Sequence, residues 1–197
     1  MQKRVKELFN EARSVILELA DSDEVMSALA EAARTVIECI RAGRKVLLCG
    51  NGGSASDSQH IASELVGRFR RERDGWPALA LSTDTSILTS VGNDYGFAEV
   101  FRRQVEALGR KGDCLDAYST SGNSENVIRA VDEAKARGLR VIVFTGASGG
   151  KLADLGDVVL YAPSETTARI QECHAVMGHA LCDIVEEELA DPEEENP

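Results

Sequence analysis

Between Lys45 and Glu64 an apolar run enters Gly50-Asn51-Gly52-Gly53-Ser54-Ala55 and continues into a helical pattern that carries His60 and Glu64. Four residues is about one helical turn, so His60 and Glu64 project from one face. The loop ahead of them offers unpaired backbone N–H groups to an anion such as a phosphate. The chain has three histidines, His60, His174 and His179. Gln171 and His179 lie eight residues apart on a long C-terminal helical pattern and point broadly to the same side. His174 lies about 140° around that helix from His179 and reads as a packed histidine. His60, Glu64, Gln171 and His179 thus offer two imidazoles, a carboxylate and an amide oxygen, a possible ligand set for a zinc-like divalent ion. With one anionic ligand such an ion keeps about one net positive charge and acts as a Lewis acid.

Ser119-Thr120-Ser121-Gly122-Asn123-Ser124 forms a second loop suited to an anion. Its hydroxyls surround a turn that Gly122 lets close, ahead of a helical pattern at Glu125–Arg137 whose first amides are free, so neutral donors suffice for a phosphate. The alternative is that Ser124 is only an N-cap and the other three are turn formers. A third loop, Thr145-Gly146-Ala147-Ser148-Gly149-Gly150, looks made for the same task. Gly50, Gly52 and Ala55 also match the dinucleotide pattern G-x-G-x-x-A. The acidic residue that such a cofactor needs near the next strand end is displaced to Asp84, and a nicotinamide enzyme has no need of a serine-rich third loop. Asp84 and Thr85 either line the site or cap a helix. The Walker pattern of nucleotide triphosphatases is absent.

The elements that must position these residues follow from periodicity. Val5, Leu8, Phe9, Ala12, Ile16 and Leu19 repeat at helical spacing, and Val25, Ala28, Leu29, Ala32, Val36, Cys39 and Ile40 do so again after Asp21-Ser22-Asp23, which predicts an N-terminal helical hairpin over residues 1–42. Two helices ahead of the first strand cannot both cover a small sheet, so part of their apolar surface is expected to pack on another subunit. Short apolar runs at Val46–Cys49, Ala78–Leu81, Cys114–Tyr118, Val141–Phe144 and Val158–Tyr161 alternate with helical patterns, and the last helix runs from about Glu165 to Ala190. The prediction is an α/β three-layer sandwich around a five-stranded parallel sheet, of flavodoxin-like type. Residues 43–190 supply sheet and helices and 191–197 an acidic tail, all in one domain. Ligands of such sheets bind beyond the carboxyl ends of the strands.

The formal net charge of −11 argues against nucleic-acid or anionic-membrane partners, so an anionic ligand has to be held locally. Glu186-Glu187-Glu188 and Glu193-Glu194-Glu195 read as a solvated helix end and tail. Arg68, Arg70, Arg71 and Arg73 form a basic cluster that reads as a helix C-terminus complementing its dipole. Five cysteines without a C-x-x-C pair suggest buried free thiols in a reducing compartment. With neither a signal-peptide pattern nor a segment of membrane-spanning length, the cytoplasm is the expected location.

Cys49-Gly50-Asn51-Gly52-Gly53-Ser54-Ala55, His60, Glu64, Val91-Gly92-Asn93-Asp94, Ser119-Thr120-Ser121-Gly122-Asn123-Ser124 and Arg169-Ile170-Gln171-Glu172 with His174 and His179 resemble the phosphoheptose isomerase family of the sugar-isomerase (SIS) fold along essentially the whole chain. The resemblance implies interconversion of sedoheptulose 7-phosphate and a D-glycero-D-manno-heptose 7-phosphate, the first step toward bacterial surface heptose. It also implies a homotetramer with zinc at shared, interfacial sites. It implies zinc at His60, Glu64, Gln171 and His179, with Glu64 as general base and His179 as general acid. Substrate contacts are implied at Asn51, Gly52, Gly53, Glu64, Asn93, Asp94, Ser119, Thr120, Ser121, Ser124 and Gln171. Ala168 stands where relatives often carry an acidic residue. Similar too are the non-catalytic DnaA initiator-associating proteins of the same fold, which lose the acidic and imidazole residues that this chain keeps at Glu64 and His179.

Overall fold

The computed structural model describes residues 1–190, and the expected acidic tail lies outside the described residues. Five parallel strands, β1 (Val46–Cys49), β2 (Ala78–Ala80), β3 (Cys114–Ser119), β4 (Arg140–Thr145) and β5 (Val158–Tyr161), lie in the order β2-β1-β3-β4-β5. Residues of β1 and β3 are wholly buried, which explains why they read as continuous apolar runs and not as alternating ones. β3 and β4 each run to a residue beyond the apolar stretch, because Ser119 pairs with Thr145 at the carboxyl edge. The strand order reverses direction between β1 and β3, so the crevice at that point is where the loops after these two strands face each other.

Among the described residues seven α-helices complete the layers: α1 (Gln2–Ala20), α2 (Asp23–Arg41), α3 (Gly53–Val66), α4 (Thr85–Tyr95), α5 (Arg102–Leu108), α6 (Glu125–Ala136) and α7 (Thr167–Leu189). α2, α3 and α7 pack on one face of the sheet, where Ile61, Leu65, Met177 and Leu181 meet Leu48, Tyr118 and Phe144. α5 and α6 cover the other face, where Val105, Val127 and Val131 meet Leu115, with Leu88 and Val91 of α4 at its margin. Each fully buried aliphatic side chain of these two cores contributes on the order of 1.5–3 kcal/mol. Asp84 caps α4, its Oδ1 accepting from the Ile87 amide at 2.9 Å, which settles its role in favour of capping.

α2 is capped by Ser22, whose Oγ accepts from Val25 N at 3.3 Å, and buries one full face. α1 behaves differently. Leu19 is its one buried residue, while Val5, Leu8 and Leu17 are exposed and Phe9 is 74% exposed. The two helices are consecutive, as expected, but α1 is held at midlength by α7, where Arg169 Nη1 donates to Leu8 O at 3.1 Å.

All five cysteines are free and buried, and burial pushes the thiols of Cys39 and Cys182 up to about 12, which keeps them protonated and unreactive. No helix among the described residues is long and apolar enough to cross a membrane.

Candidate active site

α3 and α7 run side by side in the same direction. Gly53 at the start of α3 lies against the Gln171 side chain, Ile61 against Gly178, His60 against His179, and the segment after α3 against Glu186. An added Cβ at Gly178 would come within 2.6 Å of Ile61 Cδ1, so the helices approach closely there and a larger residue would have to push the Ile61 side chain aside. This register brings together the two parts of the sequence that carry imidazoles. His60 Nε2 lies 3.1 Å from Glu64 Oε1 and 3.4 Å from His179 Nε2, and one ligand atom from each of the three residues falls within 4.8 Å of the others.

Two imidazole nitrogens and a carboxylate oxygen at this separation fit a divalent ion of zinc type, with room for a fourth ligand from elsewhere. Gln171 lies eight residues, about 12 Å, back along α7 from His179, with its amide over Gly53 at the start of α3. Of the four expected metal ligands His60, Glu64 and His179 lie together, and Gln171 stands at the glycine loop, where a substrate contact is expected as well.

The loop after β3 is tied to its neighbours on both sides. Ser119 Oγ and Ser124 Oγ are 3.0 Å apart, and Ser121 Oγ accepts from Asn123 N at 3.2 Å. Ser124 occupies the N-cap position of α6 but makes no side-chain cap, so the reading of its hydroxyl as a cap fails and the hydroxyl stays with Ser119. Gly122 has φ +63° and the Gly149 carbonyl directly behind it, leaving no space for a Cβ. The loop after β4, expected to bind ligand as well, thus backs the serine loop: Leu152 N donates to Gly122 O at 3.0 Å and Lys151 N to Asn123 Oδ1 at 3.2 Å.

The serine loop meets the glycine loop through a reciprocal amide pair. Asn51 Nδ2 donates to Asn126 Oδ1, and Asn126 Nδ2 to Asn51 Oδ1, both at 2.9 Å. Asn126, which the sequence reading passed over as part of an ordinary helix, is what joins the two loops across the β1/β3 crevice. Asn93 and Asp94 lie at the far end of α4, where Asn93 Nδ2 donates to Asp94 Oδ1 at 2.8 Å and both are exposed. They are bonded to each other and to neither loop.

Asp57 was also missed. It precedes His60 by three residues, is half-buried, and has one carboxylate oxygen buried without a hydrogen-bond partner. Burial pushes its carboxyl up to about 6 against the pull of His60. The i, i+3 spacing from His60 to a carboxylate was the available signal. His174 is buried and packs edge-on against Tyr118 and Phe144 with Nε2 3.2 Å from Thr145 O, and burial lowers it to about 4, so it is a neutral core residue as expected.

Glu186 overturns an expectation. Read from sequence as part of a solvated acidic end, it is 1% exposed and accepts from the amides of Phe69, Arg70 and Arg71 and from Arg73 Nε. A run of like charges hid the one member that α7 turns inward. Of the basic cluster, Arg70 pairs with Asp183 at 3.0 Å and Arg73 is buried over the end of α3.

A five-stranded parallel sheet in this order, with hydroxyl-lined loops at its switch point and a His-Glu-His group beside them, defines a phosphosugar-handling α/β protein. Residues 8–146 match the model of the SIS domain. The chain is 51% identical over 187 residues to a phosphoheptose isomerase of Aquifex aeolicus, covering 95% of this chain and 97% of that protein. It superimposes on a phosphoheptose isomerase structure from Neisseria gonorrhoeae with TM-score 0.89 and 46% identity, covering 94% and 98% of the two chains. A phosphoheptose isomerase from Francisella tularensis gives TM-score 0.90 at 40% identity with the same coverage. The chain belongs to the phosphoheptose isomerases of the SIS-domain family, and it is an enzyme.

Proposed function

We propose that the protein interconverts sedoheptulose 7-phosphate and D-glycero-D-manno-heptose 7-phosphate, supplying the first precursor of nucleotide-activated heptose in the cytoplasm. The observation that carries this reading is the convergence of His60, Glu64 and His179 at the contact of α3 and α7, on the helix that begins at the glycine loop. Ser119, Thr120, Ser121 and Ser124, with the free amides at the start of α6, hold the phosphate, and Asn51, Gly52, Gly53 and Gln171 orient the sugar. The acidic protein needs no cationic side chain for this, since hydroxyl and amide donors carry no penalty when the site is empty.

The reaction moves one hydrogen between adjacent carbons. Glu64 takes a proton from C1 of the ketose while His179 gives one to the C2 carbonyl oxygen, leaving an enediol. Return of the carbon proton to C2, with loss of the proton on O1, leaves an aldehyde at C1 and a hydroxyl at C2. His60, Glu64 and His179 would hold zinc, which when bound stabilises negative charge on the substrate oxygens as a Lewis acid. Glu64 has two carboxylate oxygens, one for each of its two duties.

Asn93 and Asp94 reach the reacting end from a neighbouring copy in a homotetramer with shared sites. The exposed apolar side chains of α1, and an α4 without one buried residue, support such an association. The non-catalytic alternative has no use for a carboxylate and an imidazole brought together from distant segments. The test is to give the purified protein sedoheptulose 7-phosphate, follow aldose formation by NMR and measure bound metal on the same sample. Absence of product from metal-loaded protein would return the chain to a binding role.

A further inference from the structure

His60, Glu64 and His179 meet only if α3 and α7 keep their register. Besides the contacts of Gly53 with Gln171 and of Gly178 with Ile61, the helices are joined below the site by a pair of buried charges that the proposed chemistry does not use. Arg73 is 6% exposed at its side chain and Glu186 2%, and Arg73 Nε donates to Glu186 Oε1 at 3.0 Å. Arg73 Nη2 donates to the carbonyl of Glu64 itself at 2.9 Å, and Nη1 to those of Leu65 at 3.0 Å, Gly67 at 3.3 Å and Asp74 at 3.0 Å. Its guanidinium lies 3.5 Å from the centre of the Trp76 ring.

Glu186, two turns beyond His179 on α7, accepts from Phe69 N at 2.9 Å, Arg70 N at 2.6 Å and Arg71 N at 2.9 Å. The Phe69 ring in turn lies 5.8 Å from the His179 ring. One ion pair thus closes the end of α3 at Glu64, anchors the segment that follows, and fastens both to α7. A buried pair of this kind is weak evidence for stability, because desolvation offsets most of its attraction, so its place in the fold has to be explained by what it orients.

We propose that Arg73 and Glu186 are positioning residues whose buried pair sets the register of α3 against α7 and thereby the approach of Glu64 and His179. The inference rests on the reading of His60, Glu64 and His179 as a metal and proton-transfer group. Arg73→Lys keeps the charge but cannot reach five acceptors in a plane, and Glu186→Gln keeps the shape but loses charge and one acceptor.

The experiment compares both variants with wild type and with Val131→Ala, a cavity under α6 on the opposite face of the sheet from α3 and α7. Cobalt(II) affinity by chelator competition and the cobalt absorption spectrum are measured on protein that circular dichroism shows to be folded. Arg73→Lys and Glu186→Gln are expected to weaken cobalt binding about tenfold or more with an altered spectrum, while Val131→Ala lowers the melting temperature without moving either. In metal-free protein the ring resonances of His60 and His179 should shift in the two variants and stay in place in Val131→Ala. Variants that melt earlier but keep wild-type affinity, spectrum and ring resonances would overturn the proposal. Failure of wild type to bind cobalt would sink the metal reading instead, and the metal-free resonances would still decide the positioning role.

Discussion

His179 Nε2 lies 3.4 Å from His60 Nε2, although 119 residues separate them in the chain. Two imidazoles so close, with Glu64 Oε1 3.1 Å from one of them, are held in the fold where one cation would meet all three groups. Zinc should therefore raise the melting temperature of wild type, by about 2.7 kcal/mol of stability when free metal is a hundred times its dissociation constant. His179→Gln should lose most of this gain while remaining folded. Thermal scans with and without metal make the comparison, and an equal gain in the variant would remove His179 from the ligand set.

Gly122 carries a left-handed backbone with the Gly149 carbonyl against it. Gly122→Ala should cost on the order of 1–3 kcal/mol and displace the loop after β4. Denaturant unfolding measures the cost. The same variant should raise KM for a phosphorylated substrate more than it lowers kcat, because the altered loop is the one proposed to hold the phosphate and not the reacting carbons.

Asn126→Ala leaves the Asn51 amide without its two partners. The expected loss is about 1–3 kcal/mol, with looser coupling of the glycine and serine loops. Saturation kinetics should report a higher KM, whereas metal content, set on α3 and α7, should not change. A loss of metal would mean that the loops and the metal group form one cooperative unit.

Asp116 is wholly buried on β3, with the Cys114 thiol donating to its Oδ1 at 3.4 Å and its other oxygen unpartnered. Burial raises its carboxyl to about 7, the thiol opposing weakly. A carboxyl raised on folding binds its proton more tightly in the native state, so its contribution to stability is full below about pH 4. That contribution is lost as pH rises through about 7. Asp116→Asn should remove this fall, so that the variant gains on wild type between acid and neutral pH. Urea unfolding at several pH values reads the difference. A constant offset between the two proteins would show that Asp116 does not titrate in this range.

Much of the fold was legible because β1 and β3–β5 are compact apolar runs separated by glycine and serine loops, and buried parallel strands read that way. His60 with Glu64, one turn apart, and the serine loop were legible for the same local reason. What resisted was everything set by packing between distant elements. Glu186 faces inward because α7 lies over the end of α3, which no window of sequence around Glu186-Glu187-Glu188 contains. Asn126 pairs with Asn51 because β1 and β3 are neighbours. The Gln171 amide lies over Gly53, a contact that angular periodicity does not predict, since it says nothing about translation along an axis.

The account depends most on Glu64 moving the proton, and the measurement that reaches it is turnover of sedoheptulose 7-phosphate in heavy water by wild type and Glu64→Gln side by side. NMR should find aldose carrying deuterium at C2 from wild type and none from the variant, with both proteins folded and equally assembled. Equal rates of aldose formation by the two proteins would contradict the account.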